Sequence, residues 1–223
     1  MKLVIDHLTR YGYDEEVKFS TQYLRLTPRS TGRQTITAWT LTLPDGAAVT
    51  TTDGWGNVLH VLTLDNPHKE ITIRASGIVD IADEGEETRD EEAELLSPLV
   101  FLRCTPLTRA DTAIREFAQR LYRPDAAEES LNQLMADLLL RMPYSPGATQ
   151  VQDSAADAFA RAKGVCQDHT HVFLACCRAL EIPARYVSGY VYSDNAQHVA
   201  MPGRKSGSTA AGCRLISPII PVA

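Results

Sequence analysis

The residue of this chain best suited to chemistry is Cys166, in the segment Gly164-Val165-Cys166. Apolar residues recur after it at spacings of three and four, at Val172, Phe173, Cys176, Ala179 and Leu180, so we predict a helix whose first turn carries Cys166. A cysteine in the first turn of a helix faces unpaired backbone N–H groups and the positive end of the helix dipole, which favours the thiolate over the thiol. We therefore predict that Cys166 is a nucleophile. The alternative is a small buried cysteine, the commoner fate of this residue type.

Three polar residues follow Cys166 closely. Asp168 lies in the first predicted turn, where a carboxylate complements the helix dipole, and we assign it a supporting role. Asp168, His169 and His171 could also bind a metal together with cysteines, but a helix turns His171 well away from Cys166 and His169. We therefore predict no metal site and no cofactor, and we expect the histidines to make structural hydrogen bonds.

A second motif, PARYVSGY at residues 183–190, lies downstream. Together with Gly164-Val165-Cys166 it resembles the nucleophile segment of the transglutaminase-like cysteine enzymes, in which Gly-x-Cys at a helix start precedes a helix and a Pro-Ala-Arg-Tyr-x-x-Gly-Tyr strand. The resemblance includes Asp168. It implies a papain-like core in which a thiolate attacks an amide carbonyl and forms a thioester, which water hydrolyses or an amine captures.

The family carries a catalytic histidine in a His-Ala-Trp motif and an aspartate one strand later, and this chain has neither motif. The tail nevertheless permits them when each codon is read one base earlier. Met201 then allows histidine, Pro202 forces alanine and Gly203 allows tryptophan. One permitted reading, HAWAEVWLDGGWLSFDITNHTRR, also supplies a Phe-Asp-x-Thr-Asn segment like the one that bears the aspartate. Loss of one GCCA unit from a tandem repeat would create this junction, so we hypothesise that residues 201–223 are out of frame and that the core is truncated.

Two further residues are candidates for parts of such a site. His198 is a candidate substitute base, but it precedes the family's position by four residues in the repaired reading. Four residues of strand would displace the side chain by about 13 Å, so we do not expect it to replace the missing histidine. Tyr144 lies where papain-like sites often place a side-chain donor to the oxyanion, beside the backbone N–H of Cys166. Packing in the core or in a loop is an alternative for Tyr144 with at least equal weight.

The sequence before residue 82 has the pattern of a β-domain. Two-residue alternation, β-branched residues and turn signals predict five strands, at Leu3–Tyr13, Val17–Leu26, Thr35–Leu43, Val58–Leu64 and Ile71–Ile81. Short strands with regular turns and no long helix predict an antiparallel β-sandwich over residues 1–82. Residues 83–97 are strongly acidic and are predicted to be a solvated linker.

After Pro98 the apolar residues recur at spacings of three and four. This pattern predicts helices over Asp111–Leu121 and Leu131–Met142, a third capped by Ser154, and the fourth from Cys166. Pro183 ends the last helix, and a strand is predicted over 184–192. The predicted fold class is therefore α+β, with an N-terminal antiparallel β-sandwich followed by a truncated papain-like transglutaminase core over residues 98–223.

Composition limits the function classes. The 223 residues include no apolar run long enough to cross a bilayer, and the N-terminus does not resemble a signal peptide. The net charge of -6 is concentrated in the acidic linker, so no nucleic-acid footprint is indicated. The five cysteines are odd in number and lack disulfide spacing, which favours a reducing compartment. We predict a cytoplasmic protein whose intact relatives act on a peptide or amide substrate, without a nucleic-acid or membrane partner. The alternative function is a non-catalytic binding module or remnant.

Overall fold

The computed structural model describes residues 1–82, 96–147 and 149–190, together with the backbone of residues 207–208. These residues cluster into two compact units. The first unit contains residues 1–82 with 189–190 and 207–208, and the second contains residues 96–188 apart from 148. Antiparallel sheets in the first unit and helices in the second confirm the α+β class. The predicted linker lies almost wholly outside the described residues, so its role stays a prediction.

The first unit is a pair of antiparallel sheets. Its strands are β1 (Lys2–Val17), β2 (Ser20–Thr27), β3 (Gln34–Thr42), β4 (Ala47–Thr52), β5 (Val58–Leu64), β6 (His68–Ile81) and the two-residue β7 (Gly207–Ser208). One sheet has the order β3-β6-β1-β7 and the other β2-β5-β4. Apolar residues at alternate positions meet in a core formed by Leu24, Leu62, Leu64, Ile71 and Ile73. Alternation places these side chains on one face of each strand, which is why the sequence pattern predicts this unit well.

Strand β4 is absent from the sequence prediction. All six of its side chains are exposed, so its sequence Ala-Ala-Val-Thr-Thr-Thr shows no alternation between buried and exposed positions. Its position is set by antiparallel pairing with β5, from Ala47 opposite Thr63 to Thr52 opposite Val58. The β-branched run from Val49 to Thr52 is the signal that could have revealed it.

Tyr190, the last residue of the PARYVSGY motif, packs within the first unit. Its hydroxyl donates to the carbonyl oxygen of Leu26 at 2.9 Å, and its ring lies 5.6 Å from His7 and 5.3 Å from Trp39 between centroids. Gly77 makes room for this cluster, because a Cβ atom there would lie 2.3 Å from Cε3 of Trp39. The motif therefore ends on an aromatic anchor of the β-unit.

The second unit is built around one central helix. Its helices are α1 (Thr112–Leu121), α2 (Ala127–Arg141), α3 (Ala155–Arg161) and α4 (Cys166–Ala179), with short 3-10 turns at Pro98–Leu102, Pro106–Thr108 and Pro124–Ala126. Asp111 and Ser154 cap α1 and α3 by accepting from the amides of Ile114 and Asp157, at 2.8 and 3.2 Å. Helix α4 packs against the other three, and it is buried continuously from His171 to Cys177. This burial fixes where the first turn of α4 lies.

The chain after α4 differs from its prediction. The strand expected over 184–192 is wrong for residues 184–190, which form no ladder with any described strand. Arg178 binds this segment instead: its guanidinium donates to the carbonyl oxygens of Ala184 and Phe101, each at 3.0 Å, and to the hydroxyl of Thr108. The backbone carbonyl of Ala184 is therefore bonded to a side chain, and its amide donates to the carbonyl of Phe101 at 3.4 Å.

Candidate active site

Cys166 is the first residue of α4, as predicted. Val165 before it is extended, with φ -107° and ψ -179°, so the chain turns into the helix at the cysteine. Cys166 is partly buried, whereas the residues from His171 onward are buried. The Cys166 side chain is therefore partly exposed, although Asp168 and His169 in the same turn are buried. Its role as the nucleophile stays a prediction.

Asp168 holds the backbone in front of the cysteine. Its carboxylate is 1% exposed, and one oxygen, Oδ2, accepts from the amide of Val165 and from the hydroxyl of Thr149, each at 2.7 Å. Gly164 allows this close approach, because a Cβ atom there would lie 2.6 Å from Cβ of Asp168. Asp168 thus links the residue preceding Cys166 to a neighbouring loop, which is compatible with the supporting role predicted for it.

The segment around Tyr144 runs beside the residues that precede Cys166. The amide of Ser145 donates to the carbonyl of Gly164 at 2.8 Å, and Tyr144 and Gly164 form a parallel bridge. Nε2 of His169 donates to the carbonyl of Met142, which ties the same segment to α4. The structure therefore brings the backbone of Tyr144 next to Gly164, two residues before Cys166. The Tyr144 side chain is 57% exposed, and its role as an oxyanion donor stays a prediction.

His171 is placed in the body of the helix. It is 8% exposed, its ring lies 6.0 Å from that of Tyr186, and its Nδ1 has no hydrogen-bond partner in the part of the chain that the structure describes. Burial lowers the pKa of this imidazole, the Asp168 carboxylate opposes that effect, and Arg178 adds to it. Burial therefore disfavours the charged form of His171, and the His169 ring is hydrogen-bonded to the carbonyl of Met142.

His198, the candidate substitute base, lies outside the described residues, as do residues 201–206 and 209–223 of the tail. The described residues include no group of three or more His, Cys, Asp or Glu side chains arranged to hold a metal ion. Within the same residues, no helix is long and apolar enough to cross a membrane.

Sequence reasoning missed the loop at residues 149–153, which we call the strap. Thr149 donates to Asp168, and Gln167 donates from its side-chain amide to the carbonyl of Val151 at 3.0 Å. The strap is therefore hydrogen-bonded to the two residues that follow Cys166, which are Gln167 and Asp168. No periodicity marks it, and a threonine shortly after the Pro146-Gly147 turn is the only local signal.

Cys176 and Cys177 lie deeper in α4 and are packed in the core, as predicted. They are 0% and 1% exposed. Burial raises the pKa of the Cys176 thiol far above its ordinary value and that of Cys177 to about 12. These thiols stay protonated, so they serve packing and not nucleophilic chemistry.

The chain combines a unit of antiparallel sheets with a helical unit whose central helix begins at Cys166, and comparison with known families shows which class has these two parts. The model of the bacterial transglutaminase-like N-terminal region matches residues 3–80, and that of the transglutaminase-like superfamily matches residues 115–211. The chain belongs to the transglutaminase-like superfamily. The second match extends into the tail, and the proposed change of frame stays a hypothesis.

Similar proteins occur in mycobacteria. The chain is 31% identical to an uncharacterized protein of Mycobacterium leprae over 199 residues, covering 86% of this chain and 71% of the relative. It is 30% identical to an uncharacterized protein of Mycobacterium tuberculosis, covering 85% of this chain and 66% of the relative. The chain thus spans about two thirds of the length of these relatives.

The fold also occurs in a solved structure, that of a proposed cysteine protease from Cytophaga hutchinsonii. The TM-score is 0.69 at 22% identity, and the similarity covers 86% of this chain and 68% of that one. At this identity the likeness establishes the fold.

Proposed function

We propose that this chain carries the nucleophile segment of a thiol enzyme that acts on amide bonds through a Cys166 thioester. The observation that supports this proposal best is Cys166 as the partly exposed first residue of the buried helix α4. The thiolate would attack the amide carbonyl while the backbone N–H of Cys166 stabilises the oxyanion. The carbon–nitrogen bond of the amide would then break, and the amine would leave with a proton that a histidine supplies in an intact relative and that solvent would have to supply here. Water or a second amine would then resolve the thioester.

We also propose that this chain does not complete the reaction at an enzymatic rate. A thiol enzyme of this type needs a histidine to carry the proton and an acid to orient it. The family's His-Ala-Trp motif is absent, and within the described part of the chain His169 is bonded to Met142. Because such residues act as a unit, loss of the base alone costs several orders of magnitude in rate.

The test has two arms, each compared with Cys166→Ala. In the first, iodoacetamide should label Cys166, located by peptide mass spectrometry, while amide and amine substrates show no turnover. In the second, four bases are inserted before the Met201 codon to restore His-Ala-Trp. The repaired protein should be more heat-stable and should release amine from an amide substrate in a Cys166-dependent manner.

The original chain could contradict the proposal directly. Turnover that disappears in both Cys166→Ala and His198→Ala would show that His198 is the base. A repaired gene that gives a less stable protein without thiol-dependent activity would refute the frame hypothesis, and residues 201–223 would then be native sequence.

A non-catalytic remnant is the second candidate. The observation that favours it is the tail, which contains Gly or Pro, residue types that weaken strand pairing, at six positions: Pro202, Gly203, Gly207, Gly212, Pro218 and Pro221. Among them, Gly207 nevertheless pairs with Arg10 in the two-residue strand β7. The same repaired gene bears on this candidate, because a non-catalytic binding module would show no Cys166-dependent turnover after the four bases are inserted.

A further inference from the structure

The strap is fixed next to Cys166. Gln167 neighbours the nucleophile in the chain, and its side-chain amide lies 3.0 Å from the carbonyl oxygen of Val151. The Cα–Cα distance between Cys166 and Gln167, the length of the glutamine side chain, the hydrogen bond and the Val151 carbonyl group together span at most about 14 Å. The Cα atoms of Val151 and Cys166 therefore lie within about 14 Å of each other, which is the length of about four extended residues. A short peptide bound through an amide at Cys166 would therefore reach the strap.

Most polar groups of the strap are bonded within it or to its neighbours. Gln152 donates to the side chain of Gln150 at 3.1 Å, the amide of Gln150 donates to Asp153, and Arg161 donates to Asp153 at 2.8 Å. The Asp153 and Arg161 charges thus offset each other. The Val151 side chain is different, because it is apolar and 76% exposed.

A second exposed apolar side chain belongs to a residue that pairs with the segment before Cys166. Tyr144 is 57% exposed, and its backbone pairs with Gly164, before Cys166 in the chain. Val151 is held by Gln167, after Cys166 in the chain. Exposed apolar groups held by hydrogen bonds beside a reactive thiol are suited to contact an apolar part of a substrate.

We propose that Val151 is a specificity-determining residue, and that the substrate is a peptide segment with an aliphatic side chain within four residues of the reacting amide. This inference rests on the proposed function of Cys166. A bound aliphatic side chain would remove apolar surface of Val151 and of itself from water. A polar side chain of the same shape would gain less binding free energy from this contact.

The test uses peptide reagents that react with thiols. Chloroacetyl tripeptide amides carry two glycines and either leucine or asparagine, with the variable residue at each of the three positions in turn. The Cys166 sulfur forms a bond to the reagent's methylene carbon, chloride leaves, and the thiol proton passes to solvent. Labelling rates at Cys166 are read by peptide mass spectrometry, divided by the rate with iodoacetamide, and compared with those at the exposed Cys104.

We expect leucine to react about threefold faster than asparagine at one position, at Cys166 but not at Cys104. Val151→Ser should bring this ratio to one, and Val151→Ile should retain it. Leu99→Ser is the matched control, because Leu99 is 72% exposed and precedes Phe101, which binds Arg178 near the far end of α4. This control should leave the ratio unchanged.

The outcomes separate this inference from the proposed function. Equal rates for leucine and asparagine at all positions, or a preference that Val151→Ser leaves intact, would overturn the role of Val151 while iodoacetamide labelling still supports the nucleophile. If iodoacetamide labels Cys166 no faster than Cys176, both proposals are overturned.

Discussion

The two ends of α4 carry the same side chain in opposite environments. Cys166 begins the helix, and Cys176 lies ten residues further along, a distance of about 15 Å. The first thiol is partly exposed beside the N–H groups of the first turn, whereas the second is 0% exposed and its pKa is raised by burial. The comparison shows that position along a helix, and not residue type, separates a candidate nucleophile from a packing group.

The largest expected effect is the difference in thiol reactivity. In the folded protein at about neutral pH, iodoacetamide should label Cys166 at least about a hundredfold faster than Cys176 or Cys177, because only a thiolate reacts and burial suppresses it at the inner positions. Timed quenching and peptide mass spectrometry measure the three rates. Denaturant provides the control, since unfolding should make them similar. Comparable labelling rates of the three cysteines in the folded protein would show that Cys166 is no more reactive than the buried thiols.

Replacing each thiol by a hydroxyl should lower the free energy of unfolding more at Cys176 than at Cys166. Cys176→Ser places a more polar group among Val172, Phe173 and their neighbours, so the free energy of unfolding should fall by about 1–3 kcal/mol. Cys166→Ser should change it by less than about 0.5 kcal/mol, since the site is partly exposed. Urea titrations measure both values. Equal losses would show that the first turn is packed as tightly as the helix body.

The backbone before the first residue of α4 needs a glycine at position 164. A Cβ atom there would lie 2.6 Å from Cβ of the buried Asp168, so Gly164→Ala should destabilise the protein by about 1–2 kcal/mol and slow labelling of Cys166. Gly54→Ala is the control for alanine itself, because nothing lies within 4 Å of a Cβ atom at that position. If both variants unfold at the same urea concentration, the loop before Cys166 can shift to accommodate a Cβ atom at Gly164, and the prediction is wrong.

Patterns of burial explain which parts the sequence could predict. The central helix followed from apolar spacing, as did the strands that bury Leu62 and Ile73, whereas its start at Cys166 followed from the Gly-x-Cys motif that resembles the family's. Strand β4 could not be predicted in this way, because none of its side chains is buried. The strap depends on a hydrogen bond between Thr149 and Asp168, nineteen residues apart, and such a contact leaves no periodic trace.

His171, between the two cysteine positions, should give the smallest effect. Burial lowers its folded-state pKa below the ordinary value of a histidine, so the unfolded chain binds more protons as the pH falls. The free energy of unfolding should therefore decrease from about pH 7.5 to about pH 5.5. His171→Phe keeps a ring beside Tyr186 but cannot titrate, so its stability should fall less over the same range. His7, whose pKa burial also lowers, contributes equally to both proteins in this comparison. Urea titrations at the two pH values give the difference directly, and identical losses in both proteins would mean that His171 is hydrated enough to titrate normally.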